Sequence, residues 1–296
     1  MKPFLMEIFT LFFNMFHIFF DLFWYNKIMQ EIREYVTIKK EQIKAYVGTL
    51  TLKPKLVIVQ VNEDKASCAY VNGKLKDLNE IGAIGELIKL DTSITQEELL
   101  NVIKGLNEDE TVDGFIVQMP LPSQIDEEII KRSVDPIKDV DGFNPLSTYL
   151  SATPKGILTY LEDNNFDFSG KNAVILGRSN IVGRPMHDIL LNKNMNVTIL
   201  HSKTSEEDRK FYIEHASLIV VAIGKKYYLD NRYNYRDDCV VMDVGINRDI
   251  DNHLYGDCIP TLNVKFQSPV PRGVGLLTRL SLTLNLIECY KRRHNL

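Results

Sequence analysis

Short apolar, β-branched runs recur along the chain at Leu56–Val61, Ile84–Leu90, Gly114–Gln118, Asn172–Leu176, Asn196–Leu200, Leu218–Ala222 and Cys239–Asp243. Most are separated by helix-length amphipathic or polar segments. Runs this short and this rich in Val and Ile read as strands buried on both faces. Strands alternating with helices dictate parallel sheets, because parallel neighbours are joined by a helical crossover. In such sheets ligands gather at the carboxyl ends of the strands.

The runs fall into two groups. Residues Lys27–Tyr46 carry the period of an amphipathic helix. A strand at 56–61 follows, then a helix from about Ser67 to Ile81 stopped by Gly82. After the strand at 84–90, the capping box Thr95-Gln-Glu-Glu98 opens another helix, and the strand at 114–118 runs into a Pro-Leu-Pro turn. The second group has its own strand–helix order, with a helix over Ile181–Lys193 and a long amphipathic helix from about Thr278. A chain of 296 residues suits two domains of ~100–200 residues each. The expected division is 1–148, then 149–277, with 278–296 as a helix returning to the first domain. The fold class is therefore α/β with two domains: an N-terminal βαβ parallel-sheet domain that carries the chemistry and a Rossmann-like nucleotide-binding domain, with a cleft between them.

Thirty-five Lys and Arg oppose 39 Asp and Glu, for a net charge of −4. That leaves no bulk basic footprint for nucleic acid and favours a small-molecule ligand. Four dispersed cysteines without a C-x-x-C pair suit reduced thiols in a cytoplasmic protein. The six histidines lack metal-binding spacing, so no metal site is expected. Residues 1–24 hold eight of the 14 phenylalanines and the single tryptophan. The 13 uncharged residues between Glu7 and Asp21 fall short of the ~20 that a spanning helix needs. Packing on a domain is favoured over anchoring at a membrane surface, since Lys2 is the segment's sole basic residue.

The first strand of the second group ends in Gly177-Arg-Ser-Asn-Ile-Val-Gly183 and enters a helix. Free N–H groups and the helix dipole make such a turn an anion site. One glycine of the G-x-G-x-x-G fingerprint is absent, so the strand–turn–helix context carries the dinucleotide reading. The next strand ends Leu200-His-Ser-Lys203, without the acid that binds a free ribose in NAD sites. Arg178, Ser202 and Lys203 suit a ribose phosphate instead, which favours NADP, with NAD as the alternative.

Tyr70 and Lys74 stand four apart on the helix after the first strand and share a face. With Gln118 leaving a neighbouring strand, they could orient a bound water or polarise an electrophilic carbon. From spacing alone, a solvated lysine on an amphipathic helix is the simpler reading.

Five segments appear in order: Tyr70-Val-Asn-Gly-Lys74, Asp113-Gly-Phe-Ile-Val-Gln-Met-Pro-Leu-Pro122, Lys138-Asp-Val-Asp-Gly-Phe143, Gly177-Arg-Ser-Asn-Ile-Val-Gly-Arg-Pro185 and Asp243-Val-Gly-Ile-Asn247. Over about 27–290 the chain thereby resembles the bifunctional methylenetetrahydrofolate dehydrogenase/methenyltetrahydrofolate cyclohydrolase family. The resemblance implies oxidation of methylene-tetrahydrofolate with NADP, then hydrolysis to formyl-tetrahydrofolate, in one-carbon metabolism that feeds purine biosynthesis. It implies Lys74 as the central catalytic group, Tyr70 orienting folate, Gln118 assisting Lys74 and Asp141 holding the pterin. Val117, Met119, Pro271, Gly273 and Gly275 would line the folate. Gly177, Arg178 and Ser179 would meet cofactor phosphates, Ser202 the ribose phosphate and Ile246 the nicotinamide end. Family members are usually homodimers.

The chain also departs from the family. Its loop Pro-Gly-Gly-Val-Gly-Pro-Met-Thr is here Pro271-Arg-Gly-Val-Gly-Leu-Leu-Thr278, which puts a long cation where glycine stands. The segment between Gly142 and Thr153 is shorter, and 1–24 replaces the usual opening. A catalytically impaired NADP- and folate-binding relative, or another NADP-dependent oxidoreductase of this architecture, are the competing readings.

Overall fold

Alternating valines of the first strand lie on one face and its leucine and isoleucine on the other, and both faces need cover. In the computed structural model, which describes residues 29–251 and 253–296, both receive it. Residues 1–24 lie outside that range. The first sheet holds β1 (Lys55–Gln60), β2 (Ile84–Lys89) and β3 (Gly114–Gln118) in the order β2-β1-β3, all parallel. Val57, Val59 and Val61 pack with Leu99, Ile103 and Phe115 in one core, each such buried side chain contributing about 1.5–3 kcal/mol. The register sets Gln60 beside Gln118 at the carboxyl edge.

Helix α1 (Ile32–Thr49) buries Ile32, Tyr35, Val36, Ile43 and Val47. Helix α2 (Lys65–Ile81) begins at Asp64, whose carboxylate accepts the Ser67 N–H at 2.7 Å, and stops at Gly82, φ 79°. Helix α3 (Gln96–Glu108) has the expected capping box between Thr95 and Glu98. A short α4 (Glu127–Ser133), capped by Asp126, follows the Pro-Leu-Pro turn. Neither α4 nor the next helix, α5 (Ala152–Asp163), is announced by the sequence pattern.

The second sheet is built from β4 (Asn172–Leu176), β5 (Asn196–Leu200), β6 (Leu218–Val221) and β7 (Val240–Asp243), with α6 (Gly183–Asn192) and α7 (Glu206–Glu214) as crossovers. A small antiparallel pair, β8 (Asn247–Arg248) and β9 (Leu254–Tyr255), precedes the edge strand β10 (Phe266–Gln267). The order is β10-β7-β6-β4-β5, all parallel. In each sheet the first strand in sequence has its successors on opposite sides, so each has a switch point where ligands bind. The chain is a two-domain α/β protein with parallel sheets. Among the described residues, no helix is long and apolar enough to cross a membrane.

The last helix, α8, spans Val274–Arg293 and starts a turn earlier than the expected Thr278. Gly273 and Gly275 read as loop residues, yet Gly273 is the N-cap and Gly275 lies in the first turn, where a side chain would have open space. This helix packs against α5, α1, α2 and β3. A Cβ on Gly156 would come within 2.6 Å of the Leu277 carbonyl, so α5 and α8 meet backbone to backbone. Asn285, 0% exposed, donates to the carbonyls of Val140 (2.8 Å) and Leu150 (3.0 Å) and accepts from Lys155 Nζ at 2.6 Å.

Removing that amide strands the two carbonyls, each costing about 1–3 kcal/mol, while Lys155 keeps its ion pair with Glu288 at 3.0 Å. Asn285→Ala should lower unfolding free energy in urea by about 2–4 kcal/mol. A loss under ~0.5 kcal/mol, the range of an unremarkable surface change, would remove the pinning role.

Candidate active site

Lys74 is 5% exposed, so the solvated-lysine reading fails. Its Nζ donates to Gln118 Oε1 at 3.1 Å and lies 5.3 Å from the Tyr70 ring centroid. Gln118 Nε2 donates to the Met119 carbonyl at 2.8 Å, which turns its oxygen toward the lysine. Burial lowers the Lys74 pKa from the ordinary 10.5, since an ammonium there has lost its water, and the Asp141 charge opposes that fall only partly. The half-buried Tyr70 is pushed up to about 12 by burial, while its contact with the Thr278 hydroxyl pulls the other way. The structure thus brings Tyr70, Lys74, Gln118 and Asp141 together at the carboxyl edge of the first sheet.

Asp141 owes its place to the residues before it. Lys138 is buried and donates to the carbonyls of Leu106 (2.9 Å) and Asp109 (2.7 Å). Asp139 accepts from the N–H groups of Asn144 (2.8 Å) and Gly142 (3.2 Å), and burial raises its pKa to about 6. Gly142 sits at φ 70°, where a Cβ would come within 2.7 Å of the Ser151 nitrogen. Only glycine lets this short segment fold back so closely. Lys138 and Asp139 are thus braces that present Asp141. Val117 and Met119 line a small cavity with Asp141.

The loop Pro271–Gly275 enters α8 beside this group. Gly273 cannot carry a side chain, because a Cβ would lie 2.0 Å from the Pro269 carbonyl. Thr278, one turn on, shares a 3.0 Å hydrogen bond with Thr153 and faces Tyr70. Arg272 stands at φ 76°, a left-handed conformation that costs a non-glycine residue about 1–2 kcal/mol. Arg279 donates to Asp77 through Nε (2.6 Å) and Nη2 (2.8 Å). Neither residue of that pair is apparent from sequence spacing, since 202 positions separate them.

The second sheet's carboxyl edge carries the glycine turn. Gly177 adopts φ 117°, and a Cβ there would be 2.3 Å from the Ala222 carbonyl. A Cβ on Gly183 would be 2.4 Å from the Gly177 carbonyl. Both glycines therefore hold the turn against the strands and leave its outer face open. Ser179 Oγ accepts the N–H of Val182 at 3.2 Å, while Arg178 and Ser179 are exposed. Ser202, exposed, follows β5, and Ile246, 55% exposed, follows β7, so both stand on the same edge. The loop after β6 is held by Asp257, 0% exposed, which accepts N–H groups from Ile223 (2.7 Å), Gly224 (2.9 Å) and Lys225 (2.8 Å), and the Asn247 amide at 2.9 Å. Asp243 accepts from Gly245, Asp257 and Cys258, and burial raises its pKa to about 6. Asp257 was not among the expected site residues, as nothing in its local sequence marks it.

Residues 25–141 match the tetrahydrofolate dehydrogenase/cyclohydrolase catalytic domain, and residues 151–294 match that family's NAD(P)-binding domain. The chain belongs to the tetrahydrofolate dehydrogenase/cyclohydrolase family. The bifunctional protein FolD of Bacillus cytotoxicus is 40% identical over 270 residues, covering 86% of this chain and 93% of the relative. Among solved structures, the Campylobacter jejuni bifunctional FolD methylenetetrahydrofolate dehydrogenase/cyclohydrolase is 35% identical, with TM-score 0.84 over 89% of this chain and 98% of that one. The Trypanosoma brucei methylenetetrahydrofolate dehydrogenase-cyclohydrolase, solved with NADP cofactor and inhibitor, is 25% identical, with TM-score 0.85 over 91% and 99%.

In this member of the family, Gly177→Ala is expected to push the turn off Ala222. Binding of a nicotinamide nucleotide, followed by titration of its fluorescence, should weaken at least ~10-fold, the scale set by a contact misplaced by an ångström. Unchanged affinity would mean that the turn does not hold the nucleotide.

Proposed function

We propose that the chain oxidises methylene-tetrahydrofolate to the methenyl cation with NADP and hydrolyses that cation to formyl-tetrahydrofolate. Lys74 carries this reading: a buried amine with a lowered pKa, hydrogen-bonded to Gln118 and set over Tyr70, opposite a buried carboxylate. Asp141 takes paired N–H donors of the pterin, as a carboxylate can accept two parallel bonds. Tyr70 orients the folate beside it, with Val117, Met119, Pro271, Gly273 and Gly275 around the substrate. The neutral Lys74 amine accepts a proton as water adds to the methenyl carbon, and Gln118 keeps the amine aimed. As an ammonium, Lys74 polarises the one-carbon centre.

The turn from Gly177 to Gly183 fits a dinucleotide, because a side chain at either glycine would fill the cradle. Gly177, Arg178 and Ser179 would hold the phosphates, Ser202 the ribose phosphate and Ile246 the nicotinamide end. When bound, NADP supplies the hydride acceptor. The absence of an acid at the end of β5 supports NADP over NAD. The division into 1–148, 149–277 and 278–296 follows from this reading: α8 matches with the nucleotide domain yet packs on α1 and α2. The same reading makes the working enzyme a cytoplasmic homodimer feeding purine biosynthesis.

Lys74→Met should abolish hydrolysis of methenyl-tetrahydrofolate, followed by loss of its absorbance, and leave NADP affinity intact. A neutral amine is the base, so the hydrolysis rate should rise with pH and level off below the ordinary lysine value of 10.5. Wild-type hydrolysis in Lys74→Met, or a profile flat through that range, would remove Lys74 from this role.

A further inference from the structure

We propose that Asp257 is a positioning residue for the nicotinamide half of the cofactor, locking two loops into one platform beneath it; this rests on the nucleotide placement proposed above. The strand order puts β5 on one side of β4, with β6 and β7 on the other. A dinucleotide whose phosphates sit at the Gly177 turn spans that switch point. With its adenosine half over the end of β5, where Ser202 stands, its nicotinamide half falls over the loops that leave β6 and β7. Each of those loops presents one exposed apolar side chain there, Ile223 after β6 and Ile246 after β7.

Asp257 follows β9 and is fully buried. Its Oδ2 accepts the N–H groups of Ile223 (2.7 Å) and Gly224 (2.9 Å), while its Oδ1 accepts that of Lys225 (2.8 Å) and the Asn247 amide (2.9 Å). Three consecutive N–H groups turned to one point, with Gly224 left-handed at φ 73°, form a nest of the kind that binds an anion. Here the protein's own carboxylate fills it. The cofactor phosphates are thereby left to the Gly177 turn, and the β6 loop meets the ligand with side chains. From the β7 side, Gly245 lies so close that a Cβ would come 2.2 Å from Asp257 Cγ. Ile246 is thus flanked by two residues in contact with this carboxylate, and Ile223 binds it through its own N–H. An amide could not replace it, because asparagine offers one accepting oxygen and an NH2. Two of the four donors would then face another donor.

The test compares the intact protein with Asp257→Asn in calorimetric titrations with NADP and with adenosine 2′,5′-bisphosphate, which carries the ribose phosphate and no nicotinamide. The Leu229 N–H still donates to the residue-257 carbonyl at 3.0 Å, and the Tyr227–Tyr255 ring contact remains, so the variant is expected to fold. NADP should bind at least about tenfold more weakly, the scale of a contact displaced by an ångström. Affinity for the bisphosphate should not change, because the Gly177 turn and Ser202 are untouched. A residue that merely stabilised the domain would weaken both ligands alike. Equal losses for the two ligands, or NADP affinity as in the wild type, would overturn the proposal. If Asp257→Asn does not fold, Asn247→Ala carries the same comparison. It removes one of the four bonds, so NADP alone should weaken, by about threefold, as for one ordinary hydrogen bond. Turnover is measured separately. A wild-type protein that does not reduce NADP with methylene-tetrahydrofolate, while the variant separates the two ligands as expected, supports the platform and refutes the activity. Turnover with equal ligand losses keeps the activity and loses the platform.

Discussion

The site depends on one helix holding its place. Helix α8 touches α5 through a backbone contact at Gly156, α2 through the paired hydrogen bonds of Arg279 to Asp77, and the 140–150 segment through Asn285. Those three attachments settle where Thr278 stands, and Thr278 faces Tyr70. Each attachment is a polar or steric requirement, and the three act on different turns of α8, so together they fix its position. Arg279 and Lys40 share the Asp77 carboxylate, which also keeps two cations from repelling each other beside the site.

Lys74 shows what this rigidity is for. An ammonium removed from water loses its proton more readily, unless a carboxylate restores the balance. Asp141 restores part of it, and the burial effect prevails. The neutral form of the lysine is therefore easier to reach here than in water. Gln118 cannot titrate and keeps the amine's direction in both states. On the second sheet, buried Asp243 and Asp257 serve architecture: they accept backbone N–H groups and hold loops on the edge that the glycine turn also borders.

Much of the fold was legible because strand edges coincide with composition changes. The strands at 114–118, 172–176 and 196–200 end where the apolar run ends. Helix α5 was not, because Pro154 and Gly156 suggest a loop; proline fits the first turn, and the glycine is a contact point rather than a breaker. The start of α8 was placed too late for the same reason, with glycines at 273 and 275. Of the site, the Tyr70–Lys74 spacing was visible but ambiguous, since a helical face does not say whether it meets water. Asp257, Asp77 and Arg279 were invisible, because the Asp77–Arg279 pair spans 202 positions and Asp257 holds N–H groups 32 to 34 positions before it, and no local pattern encodes such a pairing.

That distance along the chain has a kinetic side. Contacts between positions this remote form only after a large loop has closed, and chains dominated by them fold slowly. The first sheet can assemble from neighbouring segments, and Tyr70 meets Lys74 as soon as α2 forms, but Thr278 and Arg279 reach that helix only once α8 has docked. The wall that α8 adds beside Tyr70 is therefore a late product of folding, since its pairing with α2 joins positions 202 residues apart.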